Sequence, residues 1–309
     1  MSILQHDFVV RVHLRQLIVV VPLLILSQNP VIDCVAVGRL LHTLPDGERV
    51  WGVTSLDNLL YVLRGGKSSE QIEVYDKDSY RLQRCITVPG LGVGRNMISC
   101  AHNRCAYVAD VTNNCIHRVG LPHGTDVTKW PVNDKLAHVS VTDTHSVLVT
   151  CDKVRKIKEF GTGGKLLRQI QLPKDVVSPR HVIQLSSGEF IVSHGITGDP
   201  LHRVCLIDSN GHVVKSYGGP KGSGTQQVNV PYHLAVDRNG FVFVADVNNY
   251  RVLLLSPALT FVREVLSRDQ LKWEPLRMWL DSDIRRLYVA ENKFESGEHT
   301  AGRVVVVSV

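Results

Sequence analysis

Residues 231–252 read PYHLAVDRNGFVFVADVNNYRV. Two short apolar runs flank Asp237-Arg238-Asn239-Gly240, a turn sequence, and the second run ends on Asp246. The layout recurs as LLYVLR (59–64), CAYVAD (105–110), VLVTCD (147–152), EFIVSH (189–194), FVFVAD (241–246) and RLYVAE (286–291). The closing positions of these runs lie 46, 42, 42, 52 and 45 residues apart. An alternating stretch precedes each run, such as RNMISCA or RHVIQLS, and two more usually follow, as in QIEVYD and RLQRCITVP. Four short strands within a period of about 45 residues make one propeller blade. The chain is therefore expected to be all-β: a six-bladed β-propeller of four-stranded antiparallel blades.

The last unit stops at its third strand, GRVVVVSV (302–309). A donor for its missing outer strand lies near the start, in Gly38 through Pro45, which resembles the fourth strands at 165–173 and 81–89. The N-terminal strand is expected to close the ring and remove an exposed sheet edge. This sets the propeller at residues 31–309 and leaves 1–30 as an N-terminal apolar segment. Within that segment Leu17–Leu26 is too short to span a bilayer. It resembles the apolar core of a signal peptide or an extra strand; a signal over residues 1–27 would imply secretion. The expectation is otherwise a cytoplasmic, monomeric protein with no membrane span. Two loops stand out as candidate binding loops, Gly218–Gly224 and Asn292–Ala301.

Hydrophobic residues make up 44% of the 309 residues, enough for a sizeable aliphatic core. The formal charge is +6, from 35 basic and 29 acidic side chains, a milder excess than a committed nucleic-acid domain carries. Seven cysteines form no CxxC pair, so neither a disulfide framework nor a zinc finger is expected; most lie in apolar runs, where a thiol acts as a small hydrophobe. No GxSxG elbow, P-loop, HExxH or GxGxxG occurs.

In blade five, Pro231 through Asp237, Asn239-Gly240, Val244-Ala245-Asp246 and Asn249-Tyr250-Arg251-Val252 closely resemble the NHL repeat, and blade two echoes part of it in Tyr107–Asp110 and Asn113–Val119. Blades three, four and six keep the strand order but lose the Asp-Asn-Arg trio. The chain as a whole resembles the propeller of tripartite-motif (TRIM) NHL ubiquitin ligases, whose members recognise proteins or single-stranded RNA on one face of the ring. It departs from them in carrying no spaced Cys/His ligands for a RING or B-box. The resemblance thus implies only the recognition half of a ubiquitination pathway. Asp after a strand suits a turn whose backbone N–H groups it accepts, and the following Arg is expected to pair with it. The recurrent Asp110, Asp152, Asp246 and Glu291 read as such turn residues rather than catalytic carboxylates.

His138, His181 and His233 hold one register position of the first strand in blades three to five; Gly52, Asn96 and Arg277 are their equivalents. The first strand of a blade is innermost, so these six positions should ring one mouth of the central channel. Three histidines could hold a zinc ion with an open position, as in the similar six-bladed peptide-amidating lyases. The ordinary alternative is a polar, water-lined mouth that contacts a partner, and no metal or cofactor is assigned. A second cluster, Lys153, Arg155, Lys156, Lys158, Lys165 and Arg168, is a candidate RNA contact, but no aromatic residue is interleaved to stack bases. The reading is a non-enzymatic platform that binds a protein on Arg95, Asn96, His138, His181, Tyr232, His233 and Arg277. Single-stranded RNA, touching Lys153, Arg155, Lys156 and Lys158, is the runner-up, and a zinc-dependent lyase in the channel is third.

Overall fold

The computed structural model describes residues 38–65 and 70–309, so the N-terminal segment 1–30 lies outside the described residues. Six antiparallel sheets of four strands follow one another along the chain. Blade one runs Arg49–Leu56, Leu59–Gly65, Gln71–Asp76 and Leu82–Thr87, and blade two Gly94–Cys100, Cys105–Asp110, Cys115–Gly120 and Val127–Pro131. Blade three is His138–Val141, Val147–Cys151, Lys156–Phe160 and Leu166–Gln171; blade four is Pro179–Gln184, Phe190–His194, His202–Ile207 and Val213–Gly219. Blade five comprises Pro231–Val236, Val242–Asp246, Arg251–Leu255 and Phe261–Leu266. Blade six has Glu274–Asp281, Arg286–Glu295 and Glu298–Ser308, and takes Arg39–Thr43 as its outer strand, as expected.

Second strands are buried along their length because both sheet faces are covered by neighbouring blades, which explains their unbroken apolar runs. Successive blades share a core: Tyr61, Leu63 and Ile86 of blade one pack with Met97 and Val108 of blade two, and Leu148 and Ile157 of blade three with Val182 and Phe190 of blade four. Gly52 marks one such close approach. A Cβ there would lie 2.7 Å from the Met97 Cβ, so no other residue fits this first-strand position.

The ring is closed where sequence ends meet. Arg39 pairs with Ser308 and Thr43 with Val305. Asn292 then bridges blade six to blade one, accepting from Val50 N and donating to Val50 O, each at 2.8 Å. Arg64 adds bonds to Gly302 O at 3.0 Å and to Pro45 O at 3.1 Å. Each links groups more than 200 residues apart or in different blades, or ties the N-terminal strand's exit.

Both candidate binding loops are held by defined hydrogen bonds. Asn292–Ala301 is a hairpin: Asn292 pairs with Gly302, Phe294 with His299 and Glu295 with Glu298. The glycine-rich loop is held by its carbonyls, with Arg251 reaching Ser223 O at 3.0 Å and Asn249 Nδ2 reaching Gly222 O at 2.8 Å. Of the six described cysteines, only Cys85 is exposed. No helix among the described residues is long and apolar enough to cross a membrane.

Candidate functional site: the axial ring and its mouth

The register equivalence of the six axial positions holds. Gly52 faces Leu63, Asn96 faces Ala109, His138 faces Thr150, His233 faces Ala245 and Arg277 faces Ala290 on the neighbouring second strand, and the His181 N–H donates to Ser193 Oγ at 3.3 Å. Their surroundings differ from the expected water-lined mouth. Asn96, His138, His181, His233 and Arg277 are all buried, none more than 6% exposed. Asn96 Nδ2 and His233 Nε2, from opposite blades, lie 2.8 Å apart, so the channel is plugged by side chains at this level. His181 and His233 stack at 3.8 Å, and His138 packs 5.7 Å from His181 and 5.1 Å from Tyr232.

The ring works as a set of inter-blade staples. His181 Nδ1 accepts from Leu234 N at 3.2 Å and His233 Nδ1 from Met278 N at 3.4 Å, each on the next blade. Burial, with Arg277 close by, holds the His181 imidazole down to about 3 and the His138 and His233 imidazoles well below their ordinary value. All three are neutral at pH 7. Stacked rings whose Nδ1 lone pairs already accept backbone N–H groups do not converge on one ion, and both nitrogens of His138 lack a partner.

Arg277 is a buried cation with no carboxylate partner among the described residues. Its Nε donates to Trp51 O at 3.1 Å and to Arg95 O at 2.9 Å, its Nη1 to Leu276 O at 2.8 Å, and it lies over the Tyr232 ring at 4.8 Å. Burial lowers its guanidinium to about 10, still charged at neutral pH.

Above this ring sits a second. In blades one, two, four, five and six a bulge interrupts pairing just before the axial position, leaving Trp51, Arg95, Arg180, Tyr232 and Leu276 out of the ladder. Arg49 and Arg95 lie over Trp51 at 5.4 and 5.8 Å, and Arg180 lies over Tyr232 at 5.2 Å. Burial would raise the Tyr232 phenol, yet Arg277, Arg180 and Arg95 outweigh it and hold it below 10. His299, on the blade-six hairpin, meets Trp51 edge-on at 5.5 Å, and Phe294 beside it is 51% exposed. Sequence reasoning singled out Arg95 and Tyr232 here but left Arg180 and Trp51 without this role. The overlooked signal is the bulge itself, written as Pro179-Arg180-His181, Pro231-Tyr232-His233 and Pro275-Leu276-Arg277, because proline in a sheet favours strand starts and bulges.

Away from the axis, the ends of strands two and three carry buried polar pairs. Arg251 Nε binds Asp246 at 2.7 Å in blade five, as expected, and Arg64 Nε binds Glu73 at 2.6 Å in blade one. Blade six retains such a pair despite its degenerate sequence: Glu291 is bonded by Arg303, across the long hairpin. In blade three Cys151, not Asp152, holds the register position; Asp152 lies 3.7 Å from Arg180. In blade two Cys115 stands where blade five has Arg251, and His117 Nε2 reaches Asp110 at 3.2 Å instead. Asp110, Cys115 and His117 have metal-ligand atoms within 4.8 Å of one another. Asp110 is already saturated, accepting from Gly92 N, Thr112 N, Asn113 N, Asn113 Nδ2 and His117; these bonds outweigh burial and keep its carboxyl below the usual range.

The basic cluster of blade three is thinner than its sequence. Lys158 is buried, donating to Val132 O at 2.8 Å and paired with Asp134 at 2.7 Å, and Arg168 is bonded to Glu159. Lys153 is exposed, while Arg155 and Lys156 are half-buried.

No family model and no curated protein matches this sequence. Solved structures do match in fold. A protein of unknown function from Bacteroides thetaiotaomicron aligns over 85% of this chain and 72% of its own, with a TM-score of 0.62 and 14% identity. A catalytically inactive virginiamycin B lyase from Staphylococcus aureus with quinupristin aligns over 88% and 98%, with a TM-score of 0.58 and 8% identity. The β-propeller domain of Cps50 from Myceliophteria thermophila aligns over 84% and 83%, with a TM-score of 0.55 and 11% identity. The chain is a six-bladed all-β propeller, an architecture it shares with a lyase and with proteins of unknown function alike.

Proposed function

We propose that this propeller is a non-enzymatic recognition platform that docks a protein partner on the mouth formed by Trp51, Arg95, Arg180 and Tyr232, with the blade-six hairpin alongside. The observation that carries this reading is the gathering of arginines on aromatic rings at that mouth, beside the exposed Phe294, with Asp152 at 3.7 Å from Arg180 as the one carboxylate paired with them among the described residues. Aromatic and arginine side chains are the groups that dominate protein interfaces. The NHL-like residues of blades two and five add the finer suggestion of a substrate-recognition role in a cytoplasmic ubiquitination pathway. Asn96, His138, His181, His233 and Arg277 support the mouth from below rather than touching the partner. Single-stranded RNA is less favoured, because Lys158 is withdrawn from the blade-three patch and Trp51 and Tyr232 each already carry guanidinium groups.

The test is proximity labelling with the full chain against a Tyr232→Ala/Phe294→Ser variant of unchanged thermal stability. A partner set that the variant loses supports the reading. An identical set from both proteins would place recognition elsewhere.

A further inference from the structure

Among the described residues, the mouth gathers cationic and donor groups that its neighbours satisfy only in part. Arg95 is exposed, has no carboxylate partner among the described residues and lies over the Trp51 ring. Arg180 reaches Asp152 only at 3.7 Å, and its Nε is buried without a partner. The indole Nε1–H of Trp51 is likewise buried and unbonded, in a side chain only 5% exposed. Arg277 lies beneath, held by carbonyls and the Tyr232 ring with no carboxylate partner among the described residues. Of the nearby carboxylates, Glu70 beside Arg49 is pushed up to about 8 by burial and offers no charge at pH 7. Buried or half-buried cations are normally paired, and an orphaned donor costs free energy until something accepts from it.

Resting on the protein-recognition reading above, we infer that this mouth is a binding site for one oxyanion, a carboxylate or phosphate presented by an acidic peptide segment of the partner. An oxyanion accepts from Arg95, Arg180 and the Trp51 indole together, in the fork geometry that guanidinium groups favour. A phosphate-backbone track is disfavoured by the same geometry. Arg95, Arg180 and Arg277 all lie near enough to Tyr232 to act on its phenol rather than being strung along a track, and both rings are already overlaid by arginines, which leaves no stacking platform for bases.

Calorimetric titration of the full chain decides it. The probes are an Asp-rich decapeptide, the same peptide with one phosphoserine, and a uridine decamer, at matched ionic strength. Saturable binding of either peptide, weakened about tenfold or more in Arg95→Gln/Arg180→Gln, is the expected result. The peptide that binds tells carboxylate from phosphate. Trp51→Phe keeps the ring and removes the donor, and should cost a smaller part of the same affinity. Circular dichroism melting of each variant excludes a folding defect. No peptide binding, or equal binding by both variants, overturns the site. So does uridine binding lost on the same substitutions, which would reassign the mouth to nucleic acid. A partner found by labelling whose binding ignores Arg95→Gln/Arg180→Gln would leave the recognition platform standing and remove only the anion site.

Discussion

The propeller treats buried charge in two opposite ways. At the outer ends of strands two and three, charges come with partners: Asp246 with Arg251, Glu291 with Arg303 and Arg64 with Glu73. At the axis, three histidines are kept neutral and Arg277 is charged but faces only carbonyls and a ring. Asp246 and Glu291 are as buried as Arg277, so burial alone does not explain the difference. The outer pairs recur from blade to blade and close each blade's hairpin, which is work the fold needs. The axial residues, Gly52, Asn96, three histidines and Arg277, form no such pairs although they occupy one register. Paired charge marks the structural set, and the cation without a carboxylate partner, with the arginines above it, is where a ligand is to be sought.

Acid should strike the axis before the rim. The axial histidines protonate readily when unfolded, near 6.5, but His181 resists in the fold down to about 3. The unfolded chain therefore binds more protons below pH 6.5; stability is whole above that value and falls as pH drops toward 3. His181 alone is expected to contribute on the order of 5 kcal/mol to that acid limb. His138→Phe, which removes a group with no hydrogen-bond partner, should flatten part of the decline in urea-unfolding free energy between pH 6.5 and 4. An unchanged pH profile would mean that the axis is wet enough to admit protons.

Breaking a rim pair should come next in size. Arg251→Ala leaves Asp246 buried and unpaired and frees the carbonyls of Ser223 and Gln227, for a loss of about 3–5 kcal/mol in chemical denaturation. Arg277→Met should cost distinctly less, about 1–2 kcal/mol, because desolvating an unpaired cation is relieved while three carbonyls lose a donor. Equal losses at the two sites would erase the contrast between rim and axis.

The contrast was partly visible in the sequence. The run ending in Asp246 and the Arg251 five residues later announce the blade-five pair, because a tight turn fixes their spacing. Arg303 lies twelve residues from Glu291, since a long hairpin intervenes, and only the strand pairing brings them opposite. The axial histidines were legible from register, and the strand-closing role of Gly38–Pro45 from its likeness to other fourth strands. Their burial was not, because no one strand's pattern shows that Asn96 meets His233 across the ring. Lys158 read as surface basic for the same reason: its neighbours Val132 and Asp134 come from blade two's exit, not from its own blade.

The smallest effect isolates burial as the cause. Arg104 and Asp57 form an ion pair as short as Arg64–Glu73, 2.6 Å, joining turns of blades one and two, but both side chains are more than half exposed. Water already solvates each charge, and ordering two mobile side chains offsets most of the attraction. A double-mutant cycle on Arg104→Ala and Asp57→Ala should give a coupling under about 1 kcal/mol, lower still in molar salt. The same cycle on Arg251 and Asp246 should couple several times more strongly and respond little to salt. A coupling above about 2 kcal/mol at the exposed pair would show that short distance alone makes an ion pair strong here. The rim would then owe its strength to geometry rather than to burial, and an uncompensated Arg277 would no longer stand apart from it.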